Sequence, residues 1–264
     1  MAPIARITRR ALLAFVGFAL LAPAAFAAEI RVVTSGAFTE AYKKLIPIYE
    51  QASGHTVLSA FGASMGTAPD AIPSRLARGE VFDLVILSEN GLEALARDGR
   101  IVPGSRVDLA LSQIGAAVRK GTPKPDISTV AALRQALLNA KSVAYSASAS
   151  GTYLSNELFP KLGVEERMKV TAKKVMSERV GAVVARGDAE LGFQQVSELI
   201  YFKELDYLGP LPDEVQQKLY FSAGRVVGST QSEAAMHLVR FLSSPAVAEI
   251  VRATGLEPAV AKPR

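Results

Sequence analysis

Ile30-Arg31-Val32-Val33-Thr34-Ser35-Gly36-Ala37-Phe38 decides the fold. A β-branched, apolar run ends in hydroxyls and a glycine, directly before a segment of helical spacing. In that segment Phe38, Ala41, Leu45, Ile48, Tyr49 and Ala52 fall at three- and four-residue steps, and Gly54 is placed to stop the helix. Pro47 inside it predicts a kink or an early end. Thr56 to Ala60 and Phe82 to Leu87 are two more runs of the same kind, again separated by helical spacing. This is the βαβ grammar of a mostly parallel sheet flanked by helices.

The pattern continues along the chain. A helix is expected over Glu89 to Asp98, with Leu92 and Leu95 inward, and one strand over Leu109 to Val118. Beyond the Pro-rich stretch Gly121 to Pro125 come a helix at Ser128 to Leu138, a strand at Ser142 to Tyr145 and a small-residue loop, Ser146 to Ser150. A helix near Arg179 to Arg186, a strand at Glu190 to Phe193 and a segment Val196 to Phe202 follow, before Gly209-Pro210-Leu211-Pro212 breaks the order. The strand Lys218 to Ala223 leads to two terminal helices, Gln231 to Leu242 and Ala246 to Ala253, the second capped by Ser244 with Pro245 at its first position.

Composition bounds the chemistry. With 264 residues, 49% of them hydrophobic and 21% charged, the chain has ample core material for one large domain or two smaller ones. It has no cysteine, which excludes disulfides, thiolate metal sites and cysteine nucleophiles. Its two histidines, His55 and His237, lie far apart in sequence and do not have metal-ligand spacing. Arg6, Arg9 and Arg10 precede an apolar run, Ala11 to Ala22, and Ala25-Phe26-Ala27 fits a cleavage site, so residues 1–27 read as an export signal. The run is too short for a span of about 20 residues. Thr8-Arg9-Arg10-Ala11-Leu12-Leu13 also fits a twin-arginine signal, and the general secretory route is the alternative. Without the signal, 27 basic residues face 25 acidic ones, a net charge of +2 that speaks against nucleic acid as a partner. A monomer in the periplasm is the expectation.

Function is sought in the loops, because such sheets bind ligands beyond the carboxyl ends of their strands. Thr34 to Phe38, Phe61-Gly62-Ala63-Ser64-Met65-Gly66-Thr67 and Ser146 to Tyr153 share one character: small, hydroxyl-bearing and rich in backbone donors. Each also fits an ordinary helix cap. None of the three contains Asp, Glu, His, Lys or Arg, so they show no general acid or base. They read as a binding cleft with no cofactor and no catalytic residue. A secreted serine hydrolase, with Ser35, Ser64 or Ser150 as nucleophile, would need His55 or His237 as its base.

The order Val32 to Phe38, the hydroxyl loop at Ser64, Ala77-Arg78-Gly79-Glu80-Val81-Phe82-Asp83-Leu84-Val85-Ile86, then Ser150-Gly151-Thr152-Tyr153, Gly181-Ala182-Val183, Leu191-Gly192-Phe193 and Phe241 to Ala246 resembles the periplasmic molybdate-binding protein family. These are type II solute-binding proteins of ABC transporters. The resemblance implies two α/β lobes, residues 28–112 plus 222–264 and residues 113–221. It also implies crossovers near Leu111 to Ala116 and Asp206 to Phe221, and closure on a small anion that is then delivered to an inner-membrane ABC permease. It assigns Ser35, Gly36, Ser64 and Met65 to the ligand from the first lobe, and Ser150, Gly151, Arg179 and Gln195 from the second. The chain departs from the family where molybdate binders usually present a small aliphatic residue, here Arg179, and a tyrosine, here Gln195. Molybdate or tungstate is the default ligand. A small carboxylate is the alternative, since an arginine fork suits one.

Overall fold

The computed structural model describes residues 27–259, so the export signal lies outside them apart from Ala27. β1 (Glu29–Ser35) passes through one 3-10 turn, Gly36–Phe38, into α1 (Thr39–Ser53), which Gly54 ends at φ 73°. β2 (Thr56–Gly62), α2 (Ile72–Ala77), β3 (Leu84–Ser88), α3 (Glu89–Arg97) and β4 (Val107–Ser112) follow. The chain then enters the second lobe with β5 (Ile114–Arg119), α4 (Val130–Asn139), β6 (Val143–Ser146) and α5 (Ala149–Tyr153). That lobe continues with α6 (Phe159–Lys161), α7 (Glu165–Thr171), β7 (Ala172–Val175), α8 (Val180–Arg186), β8 (Leu191–Gln195), α9 (Val196–Leu199) and β9 (Leu205–Pro210). β10 (Leu219–Arg225), α10 (Ser232–Leu242), α11 (Ala248–Arg252) and β11 (Glu257–Pro258) return it to the first lobe.

Each lobe is built on a mixed sheet. The first has the order β11-β4-β10-β3-β1-β2, with β1 parallel to β2 and β3, and β10 antiparallel to β3 and β4. The second has the order β7-β6-β8-β5-β9, with β6 parallel to β7 and β8, and β5 antiparallel to β8 and β9. The strand that follows each crossover, β5 in the second lobe and β10 in the first, runs against the βαβ core, which adjusts the mostly parallel expectation. For the same reason Leu109 to Val118 is not one strand. It divides at Gln113, where β4 pairs in one sheet and β5 in the other. Nor does Pro47 end α1. It lies on the exposed face, where the carbonyl it leaves without a donor, that of Lys43, is also on the solvent side.

Ile30, Val32, Phe38, Tyr42, Leu45 and Leu238 pack in the core of the first lobe, and Leu133, Leu137, Val143, Leu158 and Phe193 in that of the second. Buried Asp83 ties the first lobe together. Its carboxylate accepts from Arg31 N–H at 2.8 Å and from Ser229 Oγ at 2.7 Å, which fixes β1 against the returning chain.

Leu238→Ala should therefore lower the unfolding free energy by about 2–5 kcal/mol in urea titrations. Ile48→Ala should change it by about 0.5 kcal/mol or less, because Ile48 is 44% exposed although its spacing places it with the apolar positions.

Candidate functional site

A cavity of about 360 Å³ lies between the lobes at the carboxyl ends of their strands. The first lobe contributes the turn after β1 and the loop after β2. The second contributes the loop after β6, the approach to α8, and the junction of β8 with α9. Gly36, Ser64, Ser150, Arg179 and Gln195 all line it. Ser35 stands behind Ser64, whose Oγ donates to Ser35 Oγ at 2.7 Å and accepts from Ser88 N–H at 3.0 Å. Met65 and Gly151 do not line the cavity. Gly151 has a local duty instead, since a Cβ there would overlap the carbonyl oxygen of Ser146.

The lobes meet across this cavity. Ser64 N–H donates to Ser148 Oγ at 3.2 Å, and Arg179, the N-cap residue of α8, donates from Nη2 to Glu40 Oε1 of α1 at 3.0 Å. Glu178 also lines the cavity and pairs with Arg186. Gln195 accepts from Ser112 Oγ at 2.6 Å through Oε1, while its buried Nε2 has no partner and is a donor available to a ligand.

His55 and His237 do come together, with ring centroids 5.9 Å apart beside Tyr49, but neither lines the cavity. A serine nucleophile has no histidine base there among the described residues.

Glu198, in the first turn of α9, is the residue the loop reading passed over. Of the three acids lining the cavity among the described residues, Asp70, Glu178 and Glu198, only Glu198 is buried, at 8% exposure. Gln194 Nε2 donates to its Oε1 at 2.8 Å, while Gln194 Oε1 accepts from Val180 N–H. Burial pushes the Glu198 carboxyl up to about 7. Arg179 opposes that shift and Glu40 adds to it. The available signal was position: an acid three residues past Gln195, just beyond the end of a strand that opens on the cleft.

Residues 30–257 match the family described as bacterial extracellular solute-binding protein. The chain belongs to that family. A solute-binding protein of this kind takes a small ligand between its lobes, and the fold here is the two-lobed type II fold shared with molybdate-binding proteins. The chain is 27% identical over 260 residues to a molybdate-binding protein of Azotobacter vinelandii, covering 90% of this chain and 94% of that one. A solved periplasmic molybdate-binding protein from the same organism superposes with a TM-score of 0.68 at 19% identity, covering 88% of this chain and all of the other.

A third relative changes the reading of the cleft. An aconitate isomerase of a Pseudomonas species is 43% identical over 234 residues, 89% of each chain. The expectation of a cleft that only binds is thereby overturned, because this relative is an enzyme. The loop reading behind that expectation was incomplete: the three loops carry no acid, but the cavity they frame does, and one of its acids, Glu198, is buried.

A carboxyl that holds its proton more tightly folded than unfolded contributes stability below pH 4.5 and loses it as the pH rises through about 7. Relative to Glu198→Gln, the wild type should lose about 3 kcal/mol of unfolding free energy between about pH 4 and pH 8. Paired urea titrations at the two pH values measure the difference.

Proposed function

We propose that this protein isomerises aconitate, an unsaturated tricarboxylate, captured by closure of the two lobes. The observation that carries the reading is Glu198, a buried carboxyl in the ligand cavity whose proton affinity is tuned to about neutral pH. The 43% identity to an aconitate isomerase supports it.

Interconverting the cis and trans forms requires the C=C bond to lose its double-bond character. A base that takes a proton from the methylene beside that bond leaves an electron pair delocalised over three carbons and into the adjoining carboxylates. Returning a proton to either end of that unit restores an alkene, with its geometry free to change. Nothing is oxidised or reduced. One carboxyl suffices for both transfers when it is readily found in either protonation state, which a pKa near the working pH provides. Arg179, the unpartnered Gln195 Nε2 and the hydroxyl at Ser150 are suited to hold carboxylates and to stabilise the charge that spreads into them. The cavity volume fits the same view. About 360 Å³ is in the range of organic-ligand sites, and a single tetrahedral oxyanion would leave much of it unfilled.

Family membership favours a second reading, in which the protein binds a small anion, a carboxylate before molybdate or tungstate, for an ABC permease. Turnover separates the two.

Purified wild-type protein should convert trans-aconitate to cis-aconitate, followed by chromatography. Glu198→Gln should lower kcat by about 10²- to 10⁴-fold while aconitate still raises the melting temperature. Arg179→Ala should raise KM by about tenfold or more. Aconitate binding without conversion by the wild type would leave the transport reading in place and remove the enzymatic one.

A further inference from the structure

Glu198 belongs to the second lobe, where Gln194 holds its carboxyl, yet Gly36 of the first lobe lies against that same carboxyl. A Cβ built on Gly36 would overlap Glu198 Oε1 and Cδ and would lie 2.8 Å from Oε2. Gly36 does not need to be glycine for its backbone angles, since its φ is outside the left-handed range. What it supplies is the room left by a missing side chain. The turn Gly36–Phe38 packs on α9, and Ala37 and Phe38 are fully buried, so this wall cannot retreat without disturbing the core. The contact lies beside the Arg179–Glu40 pair, which also joins the two lobes.

We propose that Gly36 is a positioning residue for the reaction: by lacking a side chain, it lets the first lobe seat directly over Glu198, so that the acid–base site is completed only when the lobes close. In the open form Glu198 would face water as an ordinary carboxylate. In the closed form it is a desolvated group against the substrate. The inference rests on the isomerase reading for its chemistry and on the contact alone for its geometry.

Other charged groups do not offer the same control. Arg179 and Glu40 act on Glu198 directly, and Lys43 pairs with Glu40 at 3.5 Å. Asp70 and Glu178 line the cavity outside the buried pocket of Glu198. Among the elements packed on α9, the turn after β1 and β8 carry no titratable side chain. β5 bears Arg119 at the end remote from Gln195, α8 bears Arg186, and β9 bears Asp206 and Tyr207.

The test is a double-variant cycle with Gly36→Ala, Glu198→Ala and the pair combined. Small-angle scattering of each unliganded protein reads lobe closure, and calorimetry reads aconitate affinity. Gly36→Ala should expand the protein and weaken binding by about tenfold, as a smaller closed population requires. The double variant should return to the dimensions and affinity of Glu198→Ala, because removing the carboxyl removes the conflict. Gly36→Ala should also lower kcat by about 10²-fold or more, with the pH profile of its residual activity moved from near 7 toward the usual carboxylate range. If Gly36→Ala fails to fold, refolding of the double variant still supports the contact. A double variant as expanded or as unfolded as Gly36→Ala overturns it, as does a Gly36→Ala protein with wild-type dimensions and turnover. Scattering needs no substrate, so a wild type that does not turn over aconitate removes the isomerase reading while the seat is judged on its own.

Discussion

The burial of the Glu198 carboxyl between two lobes is the constraint on which the rest of the cleft depends. A carboxylate removed from water without a full counter-charge is costly, and it lowers that cost by taking up a proton. Arg179 is near enough to moderate the shift but makes its hydrogen bond to Glu40 and not to Glu198, so the carboxyl is left poised near neutrality. Gln194 orients it, Gly36 makes space for it, and the crossovers at Gln113 and between β9 and β10 allow those groups to meet across the cavity.

Seen chemically, the step from binding protein to catalyst is short. The two-lobed scaffold already gathers backbone donors and hydroxyls around an anion, excludes water when it closes, and reopens to release its ligand. A proton-transfer reaction needs one further element, a group of suitable proton affinity beside the bound carbon. In this chain a single buried acid, in the first turn of α9 just past β8, has that character.

Much of this was legible in the sequence. The βαβ spacing from Ile30 to Leu87 announced the architecture, and the hydroxyl loops at Ser64 and Ser150 do line the cavity. Strand direction was harder to read, because Leu109 to Val118 has one unbroken apolar pattern although it serves two sheets. β9 was hidden by Gly209 and Pro210, which signal a break even though the strand runs to Pro210. Glu198 escaped for a different reason. Its sequence neighbours make it look like one polar residue in a short helix, and part of what encloses its carboxyl is Gly36, 162 positions away in the chain.

The most direct test of the central claim is the titration of Glu198 itself. The side-chain carboxyl carbon can be followed by ¹³C NMR in protein labelled at glutamate and assigned by its absence in Glu198→Gln. This resonance should titrate near 7 while exposed glutamates titrate in the ordinary carboxylate range. A Glu198 signal that is fully ionised at about pH 5 would contradict it, and the cleft would then hold an ordinary carboxylate with no special fitness for moving protons.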